Sequence, residues 1–559
     1  MPFLGILEDR KLRHVPGTVV LEEGADHVRS GTITGRLKHG SGRNSHIILI
    51  PQPSDDPNDP LNWSTVKKLT AFGVTSFGCI LYAAVISGML NSVWANMSLE
   101  LDTSIARLVQ TNGYQALVVG VTGPIFNALA RKYGKRPIFL SASIICLVAN
   151  IVGSAVNTYN GLLTSRILQG FAIAPYESLI FTLISDMFFV HERGVYAAWI
   201  NFLLAGISNL VTVVTGPIGT NLGWRWIFYL MVLFTGIQAI LQFFFVPETS
   251  YNRNHQLDLD EIGNDEEKGE LDEKRIEGAE ASMISHTENL EGAIPSSSAT
   301  STPIRPKSFL ENLSIVSGSF SEENLFQLCL APLAVFSNLA VAWVIVVNSM
   351  FVCFYVVIAF VLSQLFSAPP YLMDPTSVGY LSFGPFVGGV IGTVVLGATL
   401  DPFIIFCARR NKGVYEPEYR LVFSIVSLTC GAGLIGWGVV VGKHDSPYAA
   451  ATLHGLMLFG VMIACVTSSA YALDAYRSMA AEIFIATMTV KNLLVYGFSY
   501  FQNNWVAEAG VTRVFYVWGG ISLGLSLTAP IVFFYGKRYR SFWARHNLLE
   551  KWHIRTHEE

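Results

Sequence analysis

Twelve mainly apolar runs, each about twenty residues or longer, are divided six and six by one long hydrophilic stretch, which leaves this chain few ways to fold. They fall at about 69–94, 108–130, 137–157, 161–185, 196–221, 225–246, 339–366, 376–406, 420–442, 448–472, 483–505 and 513–536. A helix needs roughly 20 such residues to cross the hydrocarbon core of a bilayer. Of the 559 residues 51% are hydrophobic and only 14% charged, against about 25% charged in a soluble domain. The reading is an all-α membrane protein with twelve transmembrane helices in two six-helix bundles. The implied organisation is an N-terminal segment (1–68), a first bundle (69–246), a mostly disordered central linker (247–338), a second bundle (339–536) and a tail (537–559).

Lysines and arginines of short loops collect on the cytoplasmic side. The loop between the second and third runs holds Arg131, Lys132, Lys135 and Arg136; that between the eighth and ninth holds Arg409, Arg410, Lys412 and Arg420. Both termini and the central stretch are therefore expected in the cytoplasm, and the plasma membrane is the expected location. The linker carries acidic runs and the Ser/Thr-rich segment 295–303, too polar to fold alone. Asn96-Met97-Ser98 matches a glycosylation acceptor in the first outer loop, although the tripeptide is common and the loop short. The seven cysteines have no metal-type spacing and read as small, buried thiols. No basic aromatic module points to nucleic acid. Partners are expected to be membrane lipids, protons and a small-molecule substrate, with the chain acting as a monomer.

Two charges sit inside the fourth run, in Arg166-Ile-Leu-Gln169-Gly170 … Pro175-Tyr176-Glu177. A charge at the bilayer centre costs about 2.5–3.5 kcal/mol even on lenient insertion scales, so each is a functional candidate. Eleven positions at 100° each amount to about three turns plus 20°, one face of a helix with about 16 Å between the two. That predicts a single polar stripe.

Several short patterns occur in a consistent order. Asn127-Ala-Leu-Ala-Arg131-Lys132-Tyr133-Gly134-Lys135-Arg136-Pro137 resembles the cytoplasmic loop signature of the major facilitator superfamily, and Arg166-Ile-Leu-Gln169-Gly170 its second signature. Gly216-Pro217-Ile218-Gly219 resembles the bent-helix motif of the antiporter branch. Asp59-Pro60-Leu61-Asn62-Trp63, the run from Val246 to Arg253 and Tyr415-Glu416-Pro417-Glu418-Tyr419-Arg420 resemble fungal drug:proton antiporter-type members, as does Gly536-Lys537-Arg538. Within that group the chain is most similar to the branch with polyamine and organic-cation carriers.

The departures carry information. The loop signature has glycine where Asn127 stands and an acid where Arg131 stands. In the family that acid caps the eleventh helix, whose N-terminus favours negative charge. A swap is expected, with Glu482 supplying the charge locally and Arg131 meeting it across the halves; the alternative is that Arg131 only anchors the loop. Thr220 and Asn221 replace a glycine pair after Gly216-Pro217, which weakens the case for export.

The resemblance implies a central cavity lined by the first, fourth, seventh and tenth helices. Carried over, these offer Tyr82, Asn91, Tyr176, Glu177, Asn348, Tyr355, Thr467 and Tyr471. Aromatic walls with one carboxylate suit an amphiphilic or cationic ligand. Glu177 is the expected coupling residue, since a carboxyl held in a low-dielectric site exchanges protons nearer neutral pH. Arg166 is expected to organise packing through backbone carbonyls. Lys491 is expected to snorkel or to pair with Asp474 or Glu482 in a gate network. No ATP-binding loop, nucleophile elbow or paired-histidine metal motif occurs, so neither a cofactor nor an enzyme is implied. The leading reading is proton-coupled efflux of drugs, toxins or secondary metabolites by alternating access. Proton-linked uptake of polyamines or organic cations, and a membrane nutrient sensor, are the alternatives.

Overall fold

A computed structural model describes residues 3–7, 15–20, 53–54, 56–189, 192–193, 196, 199–200, 203–251, 307–315, 318–320, 324–411 and 414–546. The first six long helices are α1 Thr65–Gly88, α2 Ile105–Tyr133, α3 Lys135–Ser154, α4 Tyr159–Met187, α5 (Leu203–Ile207 running into Ser208–Asn221) and α6 Arg225–Phe245. The second six are α7 Leu339–Phe366, α8 Pro375–Arg410, α9 Pro417–Gly442, α10 Pro447–Ala475, α11 Ala480–Ala509 and α12 Val511–Arg545. The all-helical, six-plus-six reading therefore holds.

Ten of these helices are long and apolar enough to cross a membrane; α2 and α5 fall outside that set. For α2 the reason is a buried polar face. Asn112, Gln115, Thr122 and Asn127 all point into protein rather than lipid. The opposite case is α6, where Trp226, Tyr229, Leu233, Ile237, Ile240 and Phe244 are exposed at intervals of three and four. That spacing is one helix face, and an apolar face turned outward belongs in lipid.

Each half has its own packing. Phe139, Tyr176, Met187 and Phe228 lie in the core of the first; Phe351, Phe354, Trp437 and Phe515 lie in that of the second. Small residues let membrane helices approach closely. A Cβ at Gly388 of α8 would stand 2.0 Å from the Gly455 carbonyl oxygen of α10, so these helices touch backbone to backbone. At Gly113 of α2 a Cβ would lie 1.9 Å from the Ser499 hydroxyl of α11, which brings the two halves equally close.

Irregularities interrupt several of these helices. Within α1, residues Ile80–Val85 form π-helical turns, and α9 opens with eleven residues of 3-10 helix, Pro417–Ser427. Within the stretch read as linker, Phe309–Asn312 and the apolar Leu325–Ser337 are helical. The acidic and Ser/Thr-rich segments lie outside the described residues. Asn96 is half-buried on a short helix, Trp94–Glu100. All seven cysteines are free thiols.

Candidate functional site

Helix α4 is broken where its carboxylate stands. Pro175 has no N–H to give, and the regular helix ends at Ser178 before resuming at Ile180. The Tyr176 carbonyl accepts the Cys79 thiol of α1 at 3.2 Å. Glu177 is thus presented at a helix discontinuity, facing the other half of the molecule. Its Oε1 is paired with the Lys491 ammonium of α11, and its Oε2 accepts the Asn492 amide at 3.2 Å. Both side chains are largely enclosed, Lys491 15% and Glu177 13% exposed. Enclosure makes the pair interdependent, because removing one partner of such a bridge leaves an uncompensated charge.

This pairing corrects the partners expected for Lys491. Asp474 instead accepts from Arg420 Nε at 2.5 Å and from the Tyr415 hydroxyl, and Glu482 faces Arg131. Lys491 pairs across the halves because α2, α4 and α11 meet there; a Cβ at Gly120 of α2 would lie 3.2 Å from that of Asn492. Towards the loop 2–3 end, Phe181 stacks on Phe484 with centroids 4.8 Å apart. Beyond it Arg131 Nη1 stands 3.7 Å from Glu482 Oε1, the cross-half geometry expected of the charge swap.

At the loop 1–2 end the halves are joined by neutral groups. The Thr212 hydroxyl of α5 donates to Ser382 of α8 at 2.7 Å, and Thr376 donates to Thr220 at 2.9 Å. The Ala95 N–H donates to Ser363 of α7 at 3.3 Å. Gly216 makes this approach feasible, since a Cβ there would lie 2.6 Å from the Pro375 carbonyl oxygen. Pro217 keeps its place within the helix, and its carbonyl accepts Asn221 Nδ2 at 3.0 Å. The two residues that replace the family's glycine pair are both engaged in hydrogen bonds.

Arg166 does not share the surroundings of Glu177. It is fully buried in the first half, donating to the Ile86 carbonyl at 2.8 Å and to Gln169 Oε1 at 3.0 Å. Gln169 donates to Asn150 at 2.9 Å and accepts from Gln115 at 3.2 Å, while Gly170 lies against the Gln115 backbone. The expected single stripe is therefore two environments: an internal bracket and an interface charge.

The remaining cavity candidates have identifiable neighbours. Tyr82 packs edge-on against Tyr176 at 4.5 Å, and Tyr176 shares a 2.9 Å hydroxyl bond with Ser143; both tyrosines are fully buried. Asn91 accepts from Asn112 at 3.4 Å. Asn348 donates to Ser468 at 2.8 Å, Thr467 shares a 2.8 Å bond with Ser424, and Tyr471 is buried beside Gly536. Tyr355 stacks near His454 at 6.0 Å and is hydrogen-bonded to Ser208 of α5.

In loop 2–3, Gly134 has φ +96°, and a Cβ there would lie 2.3 Å from Glu248 Oε2. Glu248 accepts the N–H groups of Lys135 at 2.9 Å and Arg136 at 3.0 Å, placing negative charge at the start of α3. Lys135 pairs with Asp186 at the end of α4, and Arg136 Nη2 donates to the Phe243 carbonyl at 2.8 Å. Sequence reasoning missed Asn492, Asp186 and the capping role of Glu248. An amide beside Lys491 and an acid closing the fourth run were the available signals.

The fold of two six-helix halves has counterparts among known proteins. A profile of the Major Facilitator Superfamily matches residues 76–495. The chain belongs to that superfamily. This facilitator is 25% identical to an uncharacterized MFS-type transporter of Schizosaccharomyces pombe, over 96% of the chain and 94% of the relative. It is 24% identical to the protein HOL1 of Saccharomyces cerevisiae, over 97% and 98%. The MFS-type transporter penM of Penicillium rubens is 25% identical, over 87% and 88%. Among solved structures, a D-xylose-proton symporter superposes with TM-score 0.55 at 14% identity, covering 83% of this chain and 97% of that one. The human organic anion transporter MFSD10 does so with TM-score 0.52 at 13% identity, over 83% and 99%. The facilitator is a multi-pass membrane protein and a secondary transporter of small molecules, not an enzyme.

Proposed function

We propose that this facilitator exchanges protons for a cationic or amphiphilic organic molecule, exporting it from the cell. The observation that carries the reading is the Glu177–Lys491 pair, which spans the two halves. A proton arriving at Glu177 neutralises the carboxylate and frees the Lys491 ammonium, removing a tie between the halves. A cationic substrate takes the place of the ammonium on the same carboxylate. One site that holds either a proton or a cation gives exchange without any covalent step. Sequence relatives that are named fungal transporters support a small-molecule cargo, and a structural neighbour titled a proton symporter shows the fold at work in a proton-coupled protein.

With both termini cytoplasmic in the plasma membrane, the polar seal from Thr212 to Thr376 closes the outer side. Phe181 on Phe484 and Arg131 beside Glu482 hold the inner end together, so Glu177 sits enclosed between two sets of contacts. Tyr355 and Asn348 are the proposed substrate-facing partners of Glu177 on the second half; Tyr82, Tyr176 and Tyr471 support the walls. Arg166 is the architectural bracket, and Arg131 with Glu482 the inner gate.

The test is transport by purified protein in liposomes under an imposed pH gradient, with spermidine, monovalent organic cations, organic anions and a drug panel. Internal pH is followed as substrate is added. Cation-driven proton movement that disappears in Glu177→Gln is the expected result. Full proton-driven transport by that variant would overturn the mechanism, and uptake along the proton gradient would reverse the direction.

A further inference from the structure

Residues 3–7 and 15–20 lie outside the twelve long helices, yet they are seated on the second half. Residues Val19–Val20 (β1) pair antiparallel with Val414–Tyr415 (β2) in the loop between α8 and α9, Val19 opposite Tyr415 and Val20 opposite Val414. Ile6 is 4% exposed and joins an apolar cluster with Leu400 and Ile404 of α8 and Tyr419 of α9. The Leu7 N–H donates to the Phe534 carbonyl of α12 at 3.1 Å. Gly17, at φ +84°, lies so near the end of α10 that a Cβ would stand 2.8 Å from the Asp474 carbonyl oxygen. These contacts reach four helices of one half.

Charge fastens the same segment. Arg540 of α12 is buried, donating to Glu418 at 3.0 and 2.8 Å and to Glu416 at 2.9 Å. It also donates to the Pro16 carbonyl, and the Thr18 hydroxyl donates to Glu416 at 3.0 Å. Lys537 completes the cluster at 2.6 Å from Glu416. Two buried carboxylates and two cations thus share their hydrogen bonds with a chain segment that comes from the far end of the sequence.

We propose that segments 3–7 and 15–20 form an intramolecular strap whose docking on the second half holds the transporter in its present conformation and slows its cycle. A strap biases an equilibrium only by binding one state better than another. This one is docked while the loop 1–2 end is sealed and the loop 2–3 end is held by Arg131 beside Glu482 and Phe181 on Phe484. Its backbone packs on the end of α10, next to the gate helix α11. Docking therefore stabilises the sealed state, and release lowers the barrier to leaving it.

The test uses the full chain in liposomes. Gly17→Val with Ile6→Asp unseats the strap; Val20→Cys with Val414→Cys fastens it by a disulfide. The unseated protein should transport about fivefold faster at saturation, the lower end of coupling between distant sites. The fastened one should be slower until reductant is added, which makes each sample its own folding control. Hydrogen exchange at residues 414–420 should quicken in the unseated protein, and a Thr220→Cys/Thr376→Cys cross-link should form more slowly in its background. These two readouts need no substrate, so they separate failure of the strap from failure of the cation–proton reading. Equal rates with and without reductant, or an unseated protein no faster than wild type, would overturn the proposal.

Discussion

At residue scale the decisive atoms are the Glu177 carboxylate and the Lys491 ammonium, 314 positions apart in the chain. Lys491→Met alone strands a largely enclosed carboxylate and should destabilise the protein by about 3 kcal/mol, the lower end for breaking such a pair. Adding Glu177→Gln should return most of that in a thermal-unfolding measurement, while proton coupling stays lost. A double variant as unstable as the single would show that the pair is incidental. At the gate, Arg131→Glu and Glu482→Arg should each reduce transport, and the two together should restore it, as their 3.7 Å separation across the halves requires. The sequence made Glu177 and Lys491 conspicuous, because charges in apolar runs have few bland explanations. Their partnership was hidden, because which faces of α4 and α11 meet is decided by helix packing, not by spacing within either one.

At the scale of elements, hydropathy was sufficient for the spans and insufficient for their interruptions. Apolar content does not register the π-turns of α1 or the 3-10 opening of α9. Loop 2–3 is more readable, since Gly134 sits in a positive-φ turn where a side chain is strained. Gly134→Ala should lower stability by about 1–2 kcal/mol from backbone strain, with more from displacement of Glu248. A thermal shift no larger than that of a neighbouring surface variant would contradict the capping role. On the opposite face Asp374 starts α8 by accepting from Ser377, and the Ser377 hydroxyl bond at 2.6 Å holds its carboxyl below the ordinary range. A depressed carboxyl gives its stabilisation above its unfolded pKa and loses it as pH falls through the folded one. The α5–α8 seal should therefore survive external pH of about 5, above the ordinary carboxylate value near 4. Cross-linking of Thr220→Cys with Thr376→Cys at pH 7 and pH 5 checks this, and equal yields are expected.

At the scale of the molecule, backbone contact between Gly388 and Gly455 packs α8 and α10 as one stiff unit within the second half. The cross-link just described should stop transport outright and release it on reduction, since neutral hydroxyl bonds are the tie that must part at that end. The ion pair has an electrical consequence as well. Paired, Glu177 and Lys491 sum to zero; with a proton bound, the same site carries one net positive charge, and so does the site holding a monovalent cation. One-for-one exchange then moves no net charge and ignores the membrane voltage. A dication displaces that balance by one charge per cycle, worth about 2.3 kcal/mol for each 100 mV. Steady-state accumulation in potassium-clamped vesicles should be indifferent to voltage for a monovalent amine and steeply dependent on it for a diamine, so that the valence of the cargo is written in the current the carrier passes.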